Sequence, residues 1–160
     1  MLWTPTSLPI GRRLWMVLLT GLPFAIFKFG GGLAAMEDVH PVLGATFAVW
    51  GVLDAVLNLA VLVAPERLSF CVLSNLGRML DRRWPRPGLE ELLLAVDTLA
   101  TFLIVSTMIW FGRSSSLPEP LPALWTLCVI ANILGVGIER VWQARLHRRA
   151  GSPAGVRDHG

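Results

Sequence analysis

The sequence contains little charge, two cysteines, three histidines and a single lysine. Charged residues make up 16% of the 160 residues, whereas hydrophobic residues make up 54%. This composition argues against an ordinary soluble domain, because a surface that faces water needs more polar side chains. The short length also leaves room for only one compact unit.

The few cysteines and histidines exclude several kinds of chemistry. A disulfide framework needs more cysteines, suitably spaced, and a metal site needs clustered ligands; here they are scattered, as Cys71, Cys128, His40, His147 and His159. The sequence also contains no phosphate-binding loop and no nucleophile elbow. We therefore expect no metal, no cofactor and no enzymatic activity.

Long apolar runs dominate the rest of the chain. They cover residues 14–36, 41–64, 89–111 and 120–142, and each is near the ~20 residues that a helix needs to cross a bilayer. The sequence thus predicts an all-α integral membrane bundle of four transmembrane helices. Residues 1–150 form its single domain, and residues 151–160 are predicted to be a disordered tail.

Arginines indicate how the bundle is oriented. They concentrate before the first run, between the second and third runs, and after the fourth, whereas residues 37–40 contain neither Lys nor Arg and residues 112–119 contain only Arg113. The positive-inside rule then predicts that both termini and the middle loop are cytoplasmic. The arginine-rich, lysine-poor composition is compatible with a high-GC bacterium, so we expect a bacterial inner membrane protein.

An amphipathic pattern follows the second run. Apolar residues recur every four positions over residues 66–84, at Leu68, Val72, Leu76, Leu80 and Trp84. The pattern predicts a helix that lies on the cytoplasmic leaflet, with lipid headgroup contacts from Arg78, Arg82, Arg83 and Trp84. The alternative is a helix docked on a partner protein.

Polar residues interrupt the apolar runs at similar depths. Counted at ~1.5 Å per residue from the predicted cytoplasmic ends, Asp54 and Asn132 lie roughly 15 Å deep, Asp97 roughly 12 Å and Asn58 roughly 9 Å. Lys28 comes out about one turn further, at roughly 21 Å. Together with Thr101, these residues form a predicted intramembrane polar layer, which is a candidate transport or helix-contact site.

The side chain of Lys28 has two possible directions. It could extend outward to the external headgroups, which leaves the aspartates to Asn58, Thr101 and Asn132 as partners. It could instead turn inward and form an ion pair with Asp54 or Asp97, shielded inside the bundle. Two aspartates at one depth repel each other as anions, so one of them could bind and release a proton or a cation.

The same aspartate pair suggests a hydrolase that shares one proton between two carboxyl groups. Neither Asp54 nor Asp97 lies in the Gly-rich or Asn-Asp contexts typical of such intramembrane peptidases. The sequence therefore disfavours catalysis.

Glycine and proline residues interrupt the apolar sequence of the first predicted helix, and glycines recur in the second. Gly21, Pro23 and the triplet Gly30 to Gly32 predict either close helix packing or a broken helix that lines a site. In the second helix, small and polar residues share one face, while valines and leucines supply the lipid-facing side; that face holds Gly44, Phe47, Ala48, Gly51, Asp54, Ala55 and Asn58.

Three functions are compatible with these features. The leading hypothesis is a non-enzymatic accessory or assembly subunit of a larger membrane complex, with membrane-protein partners or self-association. The alternative is an oligomeric small carrier or channel for protons, ions or a small solute, which uses the buried Lys, Asp and Asn residues. A third is lipid sensing or lipid handling through the arginine-rich surface helix. The arginines need no nucleic-acid partner, because topology accounts for them.

Overall fold

A computed structural model describes residues 9–84 and 88–150, although the side chains of residues 115, 116, 139, 140 and 142–150 are outside the description. The predicted tail at residues 151–160 also lies outside the described residues. Every regular element in the described ranges is helical, and no strand occurs there. The all-helical prediction is confirmed for this part of the chain.

Four helices are long and apolar enough to cross a membrane. The first, Ile10–Asp38, consists of α1 (Ile10–Met16), a π-helical turn (Val17–Gly21) and α2 (Leu22–Asp38). The others follow as α3 (Pro41–Val63), α5 (Leu89–Trp110) and the first part of α6 (Leu121–Ala150), of which Leu121–Ile138 is the apolar span. A short helix, α4 (Val72–Arg83), separates α3 from α5, and a 3₁₀ turn (Arg113–Ser116) precedes α6.

The π-helical turn ends at Gly21, two residues before Pro23. Proline has no backbone N–H, so the carbonyl of Leu19 loses the donor that a regular α-helix would supply four residues later. The wider turn at Val17–Gly21 occurs at this interruption, and the helix continues without a break into α2. The first helix is therefore locally distorted rather than split into two.

The triplet Gly30 to Gly32 places α2 at the centre of the bundle. Successive helical residues point about 100° apart, and a Cβ at each glycine would meet a different helix. Gly30 faces Trp125 of α6, Gly31 faces the side chain of Ile104 in α5, and Gly32 faces the backbone of Ala48 in α3. The triplet stays helical, so it serves close packing on three sides.

The small and polar face of α3 packs against α2. Gly51 makes the approach possible, since a Cβ there would lie 2.6 Å from the carbonyl oxygen of Ala25. The remaining buried members of the face are Gly44, Asp54 and Asn58, and the exposed side includes Val49, Val52, Val56 and Leu59. Val61, expected on the lipid side, is instead fully buried.

The segment between α3 and α5 differs from the prediction of one helix over residues 66–84. The helix begins at Val72, and Ser69 and Cys71 before it are buried. The buried positions of α4 are Ser74 and Gly77, whereas Leu76 and Met79 are exposed. Its small, polar side thus docks on α5, because Gly77 leaves room for the backbone of Glu90.

Candidate functional site

One face of the first transmembrane helix lines a cleft between α3 and α5. Thr20, Phe24, Lys28, Gly31 and Ala35 follow at spacings of three and four, which places them on the same side of the helix. Each of these residues except Lys28 lines one of two cavities in the cleft. Lys28 occupies the position between them.

Lys28 turns inward and joins the two aspartates. Its Nζ donates to Oδ2 of Asp54 in α3, and it lies 2.7 Å from both Oδ1 and Oδ2 of Asp97 in α5. The lysine is 0% exposed and each aspartate is 2% exposed. We call these three residues the central ion triad; they bring α2, α3 and α5 together at one point.

An aromatic ring closes one side of the triad. Nζ of Lys28 lies 4.6 Å from the ring centroid of Trp50, at a distance typical of a cation–π contact. Trp50 stands one turn before Asp54 in α3 and stacks on Phe47, with ring centroids 6.2 Å apart. The ammonium group is thus enclosed by carboxylates and an aromatic face.

Asp54 also holds the start of α4. Its Oδ1 accepts the backbone N–H of Val72 over 2.7 Å, at the positive end of the helix dipole. One turn along α3, Nδ2 of Asn58 donates to the carbonyl oxygens of Asp54 and Phe70, at 2.8 and 2.7 Å. Since Asp54 lies nine residues before Val63, the start of α4 reaches roughly 14 Å along α3 from its end.

The other predicted members of the polar layer have local roles. Thr101 is fully buried, and its hydroxyl donates to the carbonyl oxygen of Asp97 in the preceding turn. Asn132 of α6 is 8% exposed and lines a separate cavity of about 120 Å³ with Phe24, Phe27 and Thr101. Its Nδ2 has no hydrogen-bond partner among the described residues. Asn132 therefore does not belong to the hydrogen-bonded set around Lys28.

The first of the two cavities in the cleft lies toward the arginine-rich end of the bundle. This inner cavity has a volume of about 180 Å³. Polar groups of the triad form part of its wall, and apolar side chains form most of the rest; its lining includes Thr20, Asp54, Asn58, Asp97 and Thr98 together with Met16, Phe24, Phe70, Cys71 and Leu94. The segment before α4 closes it on one side.

The second cavity is an outer groove of about 500 Å³ toward the opposite end. Small and apolar residues of α2, α3 and α5 line it, among them Ala35, Phe47, Ala100, Ile104 and Met108. Asp38 and Arg113 stand at its mouth and form an ion pair at 2.8 Å. Both cavities share α3 and α5 as walls, and Lys28 and Trp50 lie between the positions that line the inner cavity and those that line the outer groove.

The charges of the triad do not cancel if all three groups are ionised. One ammonium and two carboxylates carry a formal charge of −1, in a place that solvent barely reaches. An uncompensated charge inside a membrane is costly, and it is tolerated when paired or neutralised. The site is therefore suited to hold one more positive charge, either a proton on a carboxyl group or a bound monovalent cation.

The Cys71 thiol faces the same site from the segment before α4. Burial, reinforced by the negative charge of Asp97, raises the pKa of Cys71 from 9.0 to about 12. The thiol is consequently neutral at physiological pH and adds no charge to the site. Its Sγ accepts the backbone N–H of Ser74 over 3.3 Å, which caps the first turn of α4.

The residues predicted to contact headgroups fall into two groups. Arg78 is half-buried and pairs with Oε1 of Glu90 at 2.8 Å, and Ser74 donates to the same carboxylate at 3.0 Å. Arg82, Arg83 and Trp84 are exposed, and the guanidinium of Arg83 lies 5.6 Å from the Trp84 ring centroid. Arg78 thus joins α4 to α5, while the other three remain free to face an interface.

The sequence reasoning missed Trp50, Phe70, Val72 and Glu90 as parts of this arrangement. Trp50 carried a signal, because it lies in the middle of a span and four residues before Asp54. The contributions of Phe70 and Val72 are backbone atoms, for which no side-chain pattern exists. Comparison of the chain with family models, with curated proteins and with solved structures gave no match in any of the three.

Proposed function

We propose that the protein is a small, non-enzymatic membrane carrier that moves protons and a small cation through the cleft between α3 and α5. One observation carries the proposal: the central ion triad lies between an inner cavity and an outer groove that are walled by the same helices. A carrier needs such a barrier, which binds its substrate in the middle of the membrane and opens to one side at a time.

We also propose how the inner cavity opens toward the arginine-rich end of the bundle. The segment before α4 covers the inner cavity and is held by hydrogen bonds to Asp54 and Asn58. A change in the charge or position of Asp54 therefore acts directly on this cover. Movement of α4 away from α3 would open the inner cavity while the triad still closes the path beyond it.

The proposed setting is a bacterial inner membrane with both termini in the cytoplasm. The arginine distribution supports this orientation through the positive-inside rule. The inner cavity would then open to the cytoplasm. Self-association is part of the proposal, since four short spans enclose a pore poorly and the outer groove is bordered by exposed apolar side chains such as Leu43 and Leu103.

Proton movement in proteoliposomes tests the carrier function. Vesicles loaded with a pH-sensitive dye and an acidic buffer receive an external panel of inorganic and organic monovalent cations. We expect at least one cation to drive proton release, and we expect Asp97→Asn and Asp54→Asn to abolish it. Glu37→Gln is the matched control, because Glu37 is exposed. Proton release by none of the cations, from protein shown to be folded by gel filtration, would reject the carrier.

A second candidate function is an accessory or assembly subunit of a membrane complex. The outer groove favours it, because small residues such as Ala34, Ala35 and Ala100 would let a partner helix approach closely. Purification in a mild detergent after cross-linking distinguishes the two functions. Recovery of this chain alone counts against the accessory subunit, and a stoichiometric partner that is lost in Ala35→Leu supports it.

Lipid headgroup contacts are a further proposal, restricted to the exposed Arg82, Arg83 and Trp84. Anionic lipid retained through purification should fall when Arg82 and Arg83 are replaced by Gln. Arg78→Gln should leave it unchanged, since Arg78 is engaged by Glu90. Equal losses in both variants would count against this assignment.

A further inference from the structure

We infer that the substrate of the inner cavity is a small monovalent organic cation that exchanges for one proton. The inference rests on the proposed carrier function and specifies its substrate class. It follows from three properties of the cavity, namely the chemistry of its walls, its size and the charge of the central ion triad.

The walls suit an organic ammonium better than an inorganic ion. Hard inorganic cations such as Mg²⁺ and Ca²⁺ take about six or more oxygen ligands. Here the carboxylates of Asp54 and Asp97 are accompanied by apolar groups such as Phe24, Phe70 and Leu94. A carbon-bearing ammonium matches both, because carboxylates attract its charge while aromatic and aliphatic groups contact its carbon atoms.

The neutral side-chain oxygens of the cavity wall are few, namely those of Thr20, Asn58 and Thr98. The amide oxygen of Asn58 has no hydrogen-bond partner among the described residues, and it is buried against Gly21. The hydroxyl of Thr98 donates to the carbonyl oxygen of Leu94 within its own helix. The carboxylate oxygens of the triad already accept hydrogen bonds from Lys28 and from the start of α4. Few oxygen atoms therefore remain to replace the hydration shell of Na⁺ or K⁺.

The volume limits the substrate to a small molecule. The cavity measures about 180 Å³, which corresponds to about six water volumes. This is below the roughly 300 Å³ at which sites for drug-sized ligands begin. Tetramethylammonium and choline are cations of a suitable size, and their permanent charge prevents them from crossing lipid unaided.

The triad sets the stoichiometry of the exchange. With Lys28 and one carboxyl group protonated, the three groups sum to zero charge. When a monovalent cation binds, that carboxyl group releases its proton to water, and the sum is zero again. The proton leaves from Asp97 in this scheme, because the N-terminus of α4 stabilises Asp54 as an anion.

Lys28 supplies the internal positive charge in this exchange. Among the described residues, the titratable groups that face the two carboxylates are Lys28 from α2 and the neutral Cys71 thiol from the segment before α4. Cys128 of α6 lies elsewhere, in the cluster with Phe27 and Met108. Removal of the lysine charge would leave two carboxyl groups to be neutralised, and each bound monovalent cation would then displace one of two protons.

The test uses the full chain in proteoliposomes with an acidic interior and a pH-sensitive dye inside. Tetramethylammonium, choline, Na⁺ and K⁺ are added separately as chlorides. We expect the organic cations to release protons with saturation, at one proton per cation taken up and at a rate independent of membrane potential. Na⁺ and K⁺ should give at least ten-fold lower rates.

Four variants test which side chains the exchange requires. Asp97→Asn should lose the exchange, Asp97→Glu should retain part of it, and Glu37→Gln should match the unmodified chain. Lys28→Met should leave two carboxyl groups that both bind a proton at rest, so up to two cations should displace up to two protons while each exchange stays electroneutral. Proton release driven by Na⁺ or K⁺ rather than by organic cations, or a potential-dependent rate in the unmodified chain, would overturn the inference and leave the carrier function standing. Proton release by none of the cations would reject both.

Discussion

Asp54 in the middle of α3 accepts the backbone N–H of Val72, the first residue of α4, over 2.7 Å. The same carboxylate binds Lys28 through its other oxygen. One side chain therefore connects the centre of the bundle to the segment that covers the inner cavity. The charge of Asp54 and the position of α4 are therefore physically linked.

The Cys71 thiol should resist alkylation while α4 is docked. Its pKa of about 12, against an ordinary 9.0, leaves roughly a thousand-fold less thiolate at pH 8. We expect slow maleimide labelling in a Cys128→Ser background and rapid labelling after unfolding in SDS. The rate in the folded protein should keep rising with pH beyond 9, and a plateau near pH 9 would contradict the buried position.

The same raised pKa makes the fold sensitive to alkaline pH. Because Cys71 binds its proton more tightly in the folded chain, its contribution to stability is complete below pH 9 and is lost between pH 9 and about 12. Thermal unfolding in detergent should therefore show a steeper loss over this range in the unmodified chain than in Cys71→Ala. Parallel curves would show that the thiol does not matter.

The ion pair between Arg78 and Glu90 should hold α4 closed. Both side chains are partly exposed, at 20% and 33%, so we expect the pair to contribute up to about 1 kcal/mol. Glu90→Ala should then raise the rate of Cys71 alkylation up to about five-fold. Glu91→Ala is the control, since Glu91 is the exposed neighbour. Equal alkylation rates in both variants would show that the ion pair between Arg78 and Glu90 does not hold α4 in place.

Removal of the Lys28 charge should destabilise the bundle more than removal of the whole triad. Lys28→Met leaves two buried carboxylates without their cation, and a broken buried ion pair costs about 3–5 kcal/mol. The triple variant Lys28→Met, Asp54→Asn, Asp97→Asn should recover part of this loss, as judged from SDS unfolding midpoints. A triple variant that is less stable than Lys28→Met would contradict the charge argument.

The close approach of α2 and α3 should not tolerate a methyl group at Gly51. A Cβ there would lie 2.6 Å from backbone atoms of Ala25 and Phe29, so we expect Gly51→Ala to lose about 1–3 kcal/mol. Gly137→Ala in α6 is the matched control, because a Cβ there meets nothing within 4 Å. The control should gain about 0.5–1 kcal/mol through helix propensity. Similar unfolding midpoints would argue against this packing.

The sequence predicted the spans because apolar length is a strong local signal. It also predicted the buried face of α3, since the spacing of Gly44, Gly51, Asp54 and Asn58 defines one side of a helix. The depth count alone placed Lys28, Asp54 and Asp97 at similar distances from the predicted cytoplasmic ends. Depth does not predict the direction of the Lys28 side chain, because this long and flexible side chain can reach either the headgroups or the aspartates.

Other features depend on tertiary contacts that periodicity does not encode. The apolar repeat over residues 66–84 predicted a longer helix, but backbone groups of Phe70 and Val72 bind Asn58 and Asp54 instead. Asn132 shares the predicted depth and yet lines a different cavity, because depth carries no information about which side of α2 a helix occupies. The residue type of Trp50 does not predict its contact with Lys28, because tryptophan in a span is usually assigned to an interface.

The proposed carrier requires that the central ion triad divides one water-accessible cleft. Single cysteines in a Cys71→Ser, Cys128→Ser background test it: Thr98→Cys for the inner cavity and Ala35→Cys for the outer groove. With a membrane-impermeant thiol reagent, we expect Thr98→Cys to react from the arginine-rich side and Ala35→Cys from the opposite side. Labelling of both positions from the same side, or of neither from any side, would contradict it.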